Sequence, residues 1–271
     1  MVVAVDAVAV AVDDVAVDAV AVDAVAVAVD AVAVDAVAVA VAVDAVDAVA
    51  VDDVAVALRH LVDDDLVCGA RAILRAAIHP GEACLYDGVD ERVRRATATG
   101  RMLAREVLRS LGVSPGPILR TTGGQPAWPI GMVGSIAHDD EVAVCVCGVN
   151  VNVNVNVNVN VGVDIEPAEA LPAEIVDDVV CTELERALVG DDLVLARLLF
   201  CAKEAVYKAC FPIDARFLEF NDVWLAEPAS GSSSSLSSWL MATSTGRLVR
   251  VRVAREPRLL AVARVLSSPV P

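Results

Sequence analysis

Before Arg59 the chain has no lysine or arginine at all. Residues 2–57 contain only Val, Ala and Asp, and their 11 Asp go unanswered by any cation. The formal charge of −17 is therefore regional: from Leu58 onward 27 acidic residues face 21 basic ones, a balance of −6. That balance is ordinary for a soluble protein and argues against nucleic acid as the main partner. Aromatics make up 3% of the chain, so the hydrophobic fraction of 57% comes largely from the Val/Ala tract. Long apolar runs are missing too. The longest charge-free segment of the tract is residues 36–43, far short of the roughly 18 to 20 apolar residues a membrane-spanning helix needs. With no cationic stretch ahead of the tract, a secretory signal is not expected either. The seven cysteines include no C-x-x-C pair and no histidine at zinc spacing, which points to reduced, mostly buried thiols in a cytoplasmic protein. Cys145 and Cys147, in "VAVCVCG", read as small hydrophobes on one face of a strand.

The tract alternates Val and Ala with period two, but each "VDAV" delays the next Val by one residue and flips the apolar face. A strand cannot keep one buried face through such slips, and the reading finds no helical stripe. Residues 1–57 are therefore expected to lack a specified fold and to be dispensable. The repeat "VNVNVNVNVNVNV", Val149 to Val161, is a second low-complexity stretch that would prolong a hairpin arm.

Between and after these tracts the sequence becomes complex. Residues 90–111 place Val93, Met102, Leu103, Val107, Leu108 and Leu111 at helical spacing with Arg on the other faces. The turn-rich "TTGGQPAWPIG" precedes the strand-like "MVGSIAH" and "VAVCVCG". In "CTELERAL", Thr182 and Glu185 form a capping-box pattern, and "LARLLFCAKEAVYKACF" is expected to be helical. "SGSSSSLSS" reads as a loop, and "RLVRVRVA" and "LLAVARVL" as closing strands. Helices and strands interleave on either side of "GVDIEP", an α+β pattern.

In "GVDIEP", Gly162 to Pro167, Asp164 and Glu166 share one side of an extended chain while Val163 and Ile165 take the other. Two carboxylates so placed suit a divalent cation, and equally the solvated face of an edge strand. In "FCAKEAVYKA", Glu204 and Lys208 lie four apart on one helical face, the spacing of a surface ion pair.

Order and company favour chemistry. G-[VI]-D-[IV]-E, a 33-residue spacer and F-x-x-K-E-x-x-x-K resemble the 4′-phosphopantetheinyl transferases of the surfactin- and enterobactin-synthetase type. "GGQPAWPIGMVGSIAH", "RRATATGR" and "YKACFPIDARFLEFNDV" resemble further blocks of that family, so the likeness runs over roughly residues 70–265. It implies an α+β fold of two similar subdomains in a pseudo-twofold arrangement, at 58–161 and 162–271, acting as a monomer.

The implied reaction transfers 4′-phosphopantetheine from coenzyme A to a serine of an apo acyl or peptidyl carrier protein and releases adenosine 3′,5′-bisphosphate. Asp164, Glu166 and Glu204 would hold Mg²⁺, which favours oxygen ligands from a few carboxylates, phosphates and water. Glu204 would also take the serine proton, and Lys208 would meet the developing phosphate charge. The resemblance implies coenzyme A contacts at Arg94, Arg95, Arg101, Pro126, His138 and Lys203. The three Arg suit phosphate because guanidinium offers a planar fork of donors, although a basic solvated helix face would look the same. Two departures stand out. Ala137 replaces the usual Ser or Thr before the histidine, removing an expected hydroxyl donor to phosphate. The run Asp139, Asp140 and Glu141 sets acid beside a site meant for phosphates. A coenzyme A or carrier binder without turnover, and a Mg²⁺-dependent pyrophosphate hydrolase, are the alternative functions.

Overall fold

A computed structural model describes residues 51–73, 78–150, 160–227 and 236–266. Val49–Pro271 forms one compact unit, and Met1–Ala48, the other, lies outside the described residues. Also outside them are the readings made on 2–50, on the Asn/Val repeat over 151–159 and on the serine-rich stretch over 228–235.

Four layers define the folded unit. A three-stranded antiparallel sheet has the order β1-β3-β2, formed by β1 (Leu66–Ala72), β2 (Met132–His138) and β3 (Val142–Val149). A five-stranded antiparallel sheet has the order β4-β8-β7-β6-β5, with β4 (Val161–Glu166), β5 (Val223–Leu225), β6 (Leu236–Thr243), β7 (Leu248–Ala254) and β8 (Leu259–Val265). One long helix covers each sheet's outer face. Helix α1 occupies 51–61, α2 is Glu91–Ser110, and the short α3 (Val176–Val179) and α4 (Glu183–Val189) lead into α5, Leu193–Asp214.

The period-two alternation of the inner strands builds the layers directly. Val142, Val144 and Val146 of β3 face the inter-sheet core with Val161, Val163 and Ile165 of β4. Ala143, Cys145 and Cys147 face the opposite way, into the α2 interface with Leu103, Val107 and Leu108. The two thiols thus sit on one strand face as expected, with Sγ atoms 3.5 Å apart, and all seven cysteines are free. Leu259, Ala261, Ala263 and Val265 of β8 join the α5 core.

Several elements differ from the sequence reading. Residues 51–57 of the tract are helical, and Val54 is 1% exposed, packed with Leu58 and Leu61 in the inter-sheet core. A helical stripe does exist over those last residues, so the folded chain begins before Leu58. Val93 was placed on the buried face of α2 but is 47% exposed, while Arg101 and Arg105 turn inward. Arg105 pairs with the buried Glu82, whose Oε1 also accepts the Ile118 N–H. Strand β6 starts at Leu236, inside the stretch read as loop. The Thr182/Glu185 capping box is present.

Gly162 decides how closely β4 and α5 approach. A Cβ there would lie 1.9 Å from the Ala205 carbonyl oxygen and 2.7 Å from the Ala209 nitrogen. Strand and helix are in backbone contact, and this brings the carboxylates of the one within reach of the charges of the other.

Candidate active site

Along β4, Gly162, Asp164 and Glu166 all face α5, while Val163 and Ile165 face the inter-sheet core. Although β4 is an edge strand of its sheet, its Asp164 is buried, so the reading of a solvated edge does not hold. Lys208 Nζ donates to Asp164 Oδ1 at 2.6 Å and to the Val163 carbonyl at 3.3 Å. Asp164 Oδ2 is buried with no hydrogen-bond partner. Arg197, about three turns before Lys208, reaches Glu166 Oε2 at 3.4 Å and the Ala170 carbonyl at 2.9 Å.

The electrostatics show a surplus of negative charge. Burial, then the Asp164 charge, raises the Glu166 carboxyl to about 7. The same two causes, in the same order, raise Glu204. Loss of water pulls Lys208 down, but the charge and hydrogen bond of Asp164 outweigh it and leave the ammonium raised. Asp164 is thus felt by both glutamates and neutralised on one oxygen only.

Two clefts open here. One of about 450 Å³ is lined by His138, Asp139, Asp140, Glu141, Glu166, Arg197 and Arg258, among others. The second, of about 330 Å³, is lined by Gly123 to Pro126, Trp128, Gly134 to Ile136, Tyr207, Lys208 and Phe211. Pro126 closes the turn before it, paired with Arg120. His138 ends β2, and loss of water followed by the nearby Lys208 charge lowers its pKa.

Other expected residues are placed differently. Lys203 is a correction: it points away from either cleft, its side chain 1% exposed, paired with Glu185 at 2.9 Å and donating to the carbonyls of Val179 and Phe220. Those bonds fasten the α3–α4 region and the turn before β5 onto α5, and leave no donor for a coenzyme. Arg101 is likewise engaged inside, donating to the Ile118 carbonyl at 2.9 Å. Arg94 pairs with Glu91 on its own helix. Arg95 keeps a buried Nε without a partner. Ala137 is 4% exposed within the inter-sheet core, not at a cleft, so its missing hydroxyl takes nothing from a phosphate. Each residue of the acidic run has an arginine, since Asp140 pairs with Arg92 and both Asp139 and Glu141 pair with Arg258, which leaves one net negative charge on the tip. Arg197 and Arg258 are cleft residues the sequence reading missed. Neither falls in a motif, and only the fold brings them to β4 and the β2–β3 tip.

A strand-end carboxylate pair thus faces a lysine-bearing helix beside two clefts. Comparison with known proteins supplies the family. Residues 82–148 match the 4′-phosphopantetheinyl transferase N-terminal domain, and residues 160–262 match the 4′-phosphopantetheinyl transferase superfamily. The 4′-phosphopantetheinyl transferase PptT of Mycobacterium tuberculosis is 40% identical over 147 residues, which cover 53% of this chain and 62% of the relative. The 4′-phosphopantetheinyl transferase Npt of Nocardia iowensis is 36% identical over 160 residues, 58% of this chain and 70% of the relative. The 4′-phosphopantetheinyl transferase Svp of Streptomyces mobaraensis is 34% identical over 141 residues, 50% of this chain and 55% of the relative. The chain belongs to the 4′-phosphopantetheinyl transferase superfamily. It spans just over three fifths of the length of the mycobacterial relative.

Proposed function

We propose that this protein transfers 4′-phosphopantetheine from coenzyme A to a serine hydroxyl of an apo acyl or peptidyl carrier protein, releasing adenosine 3′,5′-bisphosphate. The observation that carries the reading is Asp164, half-neutralised by Lys208 and coupled to Glu166 and Glu204 at the β4–α5 contact. Attack by the serine oxygen on the phosphorus next to pantetheine forms a phosphodiester and breaks the pyrophosphate bond.

The donor set fits Mg²⁺. Among the described residues no three His, Cys, Asp or Glu side chains already enclose a metal position, but Mg²⁺ commonly takes one or two carboxylates and completes its shell with substrate phosphates and water. The orphaned Asp164 Oδ2 and the raised Glu166 and Glu204 are oxygens that gain from a cation. Asp164, Glu166 and Glu204 would hold the ion, which when bound supplies charge neutralisation of the pyrophosphate.

The side chains of this chain do the rest. Glu204, its proton affinity raised by burial and by Asp164, receives the serine proton. Lys208 remains charged and lines the second cleft, where it meets charge on the phosphates. His138, which lines the first cleft, is the remaining expected donor for coenzyme A phosphate. Pro126 shapes the Trp128 side of the second cleft. Residues 58–161 and 162–271 act as two halves around the site, in a single-chain, cytoplasmic enzyme. Among the described residues no helix is long and apolar enough to cross a membrane. The test is the intact mass of an apo carrier protein after incubation with this protein, coenzyme A and Mg²⁺. Gain of one phosphopantetheine is expected. An unmodified carrier with coenzyme A bound would favour a non-catalytic binder, and coenzyme A cleavage without a carrier would favour a hydrolase.

A further inference from the structure

His138 is the last residue of β2, at the tip of the β2–β3 hairpin, and two attachments hold this strand to the other half. At its middle the Val163 N–H of β4 donates to Ser135 Oγ at 3.0 Å, both atoms buried. At the tip, Arg258 reaches across from the β7–β8 turn. Its Nε lies 3.3 Å from Asp139 Oδ2, and its Nη2 pairs with Glu141. Asp139 is built for this, with a side chain only 7% exposed. Its Oδ1 accepts the N–H groups of Glu141 and Val142 at 2.8 and 2.7 Å, which fixes the tip conformation. The third carboxylate, Asp140, is held by Arg92 at the start of α2.

Charge gives the latch a second consequence. The cleft beside the tip also carries Glu166 and Glu169. Arg197 answers Glu166 on the far wall, but without Arg258 the net charge of Asp139 and Glu141 would double from one to two, and like charges across a cleft push its walls apart. The same turn reaches α5: Arg255 pairs with Asp192 at 2.8 Å, and Asp192 caps the helix that bears Glu204 and Lys208. One four-residue turn is thus tied both to the hairpin carrying His138 and to the helix carrying the reactive charges.

We propose that Arg258 is a positioning residue, whose guanidinium latches the β2–β3 tip through Asp139 and Glu141 and so sets where His138 stands relative to the β4 carboxylates. The part concerning coenzyme A rests on the proposed function; the latch itself does not.

The test uses the full chain and Arg258→Met, which keeps length and removes charge. Hydrogen exchange followed by mass spectrometry should show residues 134–144 exchanging about tenfold faster, with the α5 peptides unchanged. Titration calorimetry with coenzyme A and Mg²⁺ should show affinity lowered about tenfold, and kinetics a raised KM for coenzyme A with kcat within about twofold. Arg258→Lys should recover most of both effects. Should Arg258→Met fold poorly, Glu141→Gln at the exposed arm of the latch should still speed tip exchange and weaken coenzyme A two- to threefold. Unchanged tip exchange in Arg258→Met and Glu141→Gln overturns the latch. Faster exchange with unchanged coenzyme A affinity overturns the positioning role. A parent protein that binds no coenzyme A refutes the proposed function and leaves the exchange result readable.

Discussion

Replacing Gly162 by Ala tests the contact on which the site depends. The added methyl would lie 1.9 Å from the Ala205 oxygen and 2.7 Å from the Ala209 nitrogen, both backbone atoms in the middle of α5. No side-chain rotation relieves such a clash, so β4 and α5 must separate by roughly 1 Å or more to restore ordinary contact. Overpacking of a tight core costs about 1 to 3 kcal/mol where neighbours can yield. Here the neighbour is helical backbone, so the upper end or beyond is expected. For a folded region of this size, about 3 kcal/mol corresponds to a fall of about 6 to 12 °C in Tm. The same displacement would stretch the 2.6 Å Lys208–Asp164 bond past hydrogen-bond range, so carrier modification should fall by more than the loss of folded protein explains. Scanning calorimetry and single-turnover transfer, both below the variant's transition, separate the two effects. A variant with the parent's Tm would refute the close approach, and one destabilised yet fully active would refute the link from that approach to catalysis.

Glu204→Gln keeps size and removes the proton acceptor, so transfer should drop by about a hundredfold or more with Tm nearly unchanged; transfer at the parent rate would remove Glu204 from its role. Lys203→Met leaves buried Glu185 unpaired and should cost about 3 to 5 kcal/mol by denaturant unfolding, with Glu185→Gln in the same chain recovering much of it because the capping bonds survive. Ala137→Ser should leave coenzyme A affinity unchanged by calorimetry while costing about 1 to 3 kcal/mol of stability, since its hydroxyl would enter the apolar inter-sheet core. Because the folded Glu166 carboxyl is raised to about 7 from 4.5, the folded state binds more protons between those values, and metal-free stability should fall as pH rises through that window, by at most about 3 kcal/mol. Mg²⁺ binds the deprotonated form, so the Tm gain from Mg²⁺ over EDTA should be larger at pH 8 than at pH 6; equal gains would separate Glu166 from the metal.

What could be read from sequence was what repeats locally. Period-two alternation in "VAVCVCG" placed Cys145 and Cys147 on one face, and the Thr182/Glu185 spacing predicted a cap that the structure contains. Asp164 and Glu166 were found because i, i+2 spacing alone decides that they share a side. The failures came from partners distant in the chain. Lys203 and Glu204 are adjacent in a charged motif, yet their positions on α5 differ by about 100°, and only the arrival of Glu185 turns Lys203 inward. Arg101 and Arg105 read as part of a basic solvated face, but Ile118 and Glu82 supply buried acceptors that no spacing on α2 reveals. The helix over 51–61 was hidden because a tract of Val, Ala and Asp holds several periods at once, and Val54, Leu58 and Leu61 form a stripe only once the chain turns helical.

The departures at the hairpin tip follow the same logic. An acidic run beside a phosphate site looks like a defect when charges are counted along the chain, because Asp139, Asp140 and Glu141 have no local cations. In space each has an arginine, two of them sharing Arg258. At the β4–α5 contact Asp164, Glu166 and Glu204 likewise outnumber the Lys208 and Arg197 that reach them, and there two glutamates are held above their ordinary range. A fold selected for stability alone would place apolar residues there, since buried carboxylates cost free energy unless paired. That buried carboxylates with raised proton affinity survive at the β4–α5 contact beside Lys208 is the arrangement expected if a cation and a phosphate are what the carboxylates and lysine await.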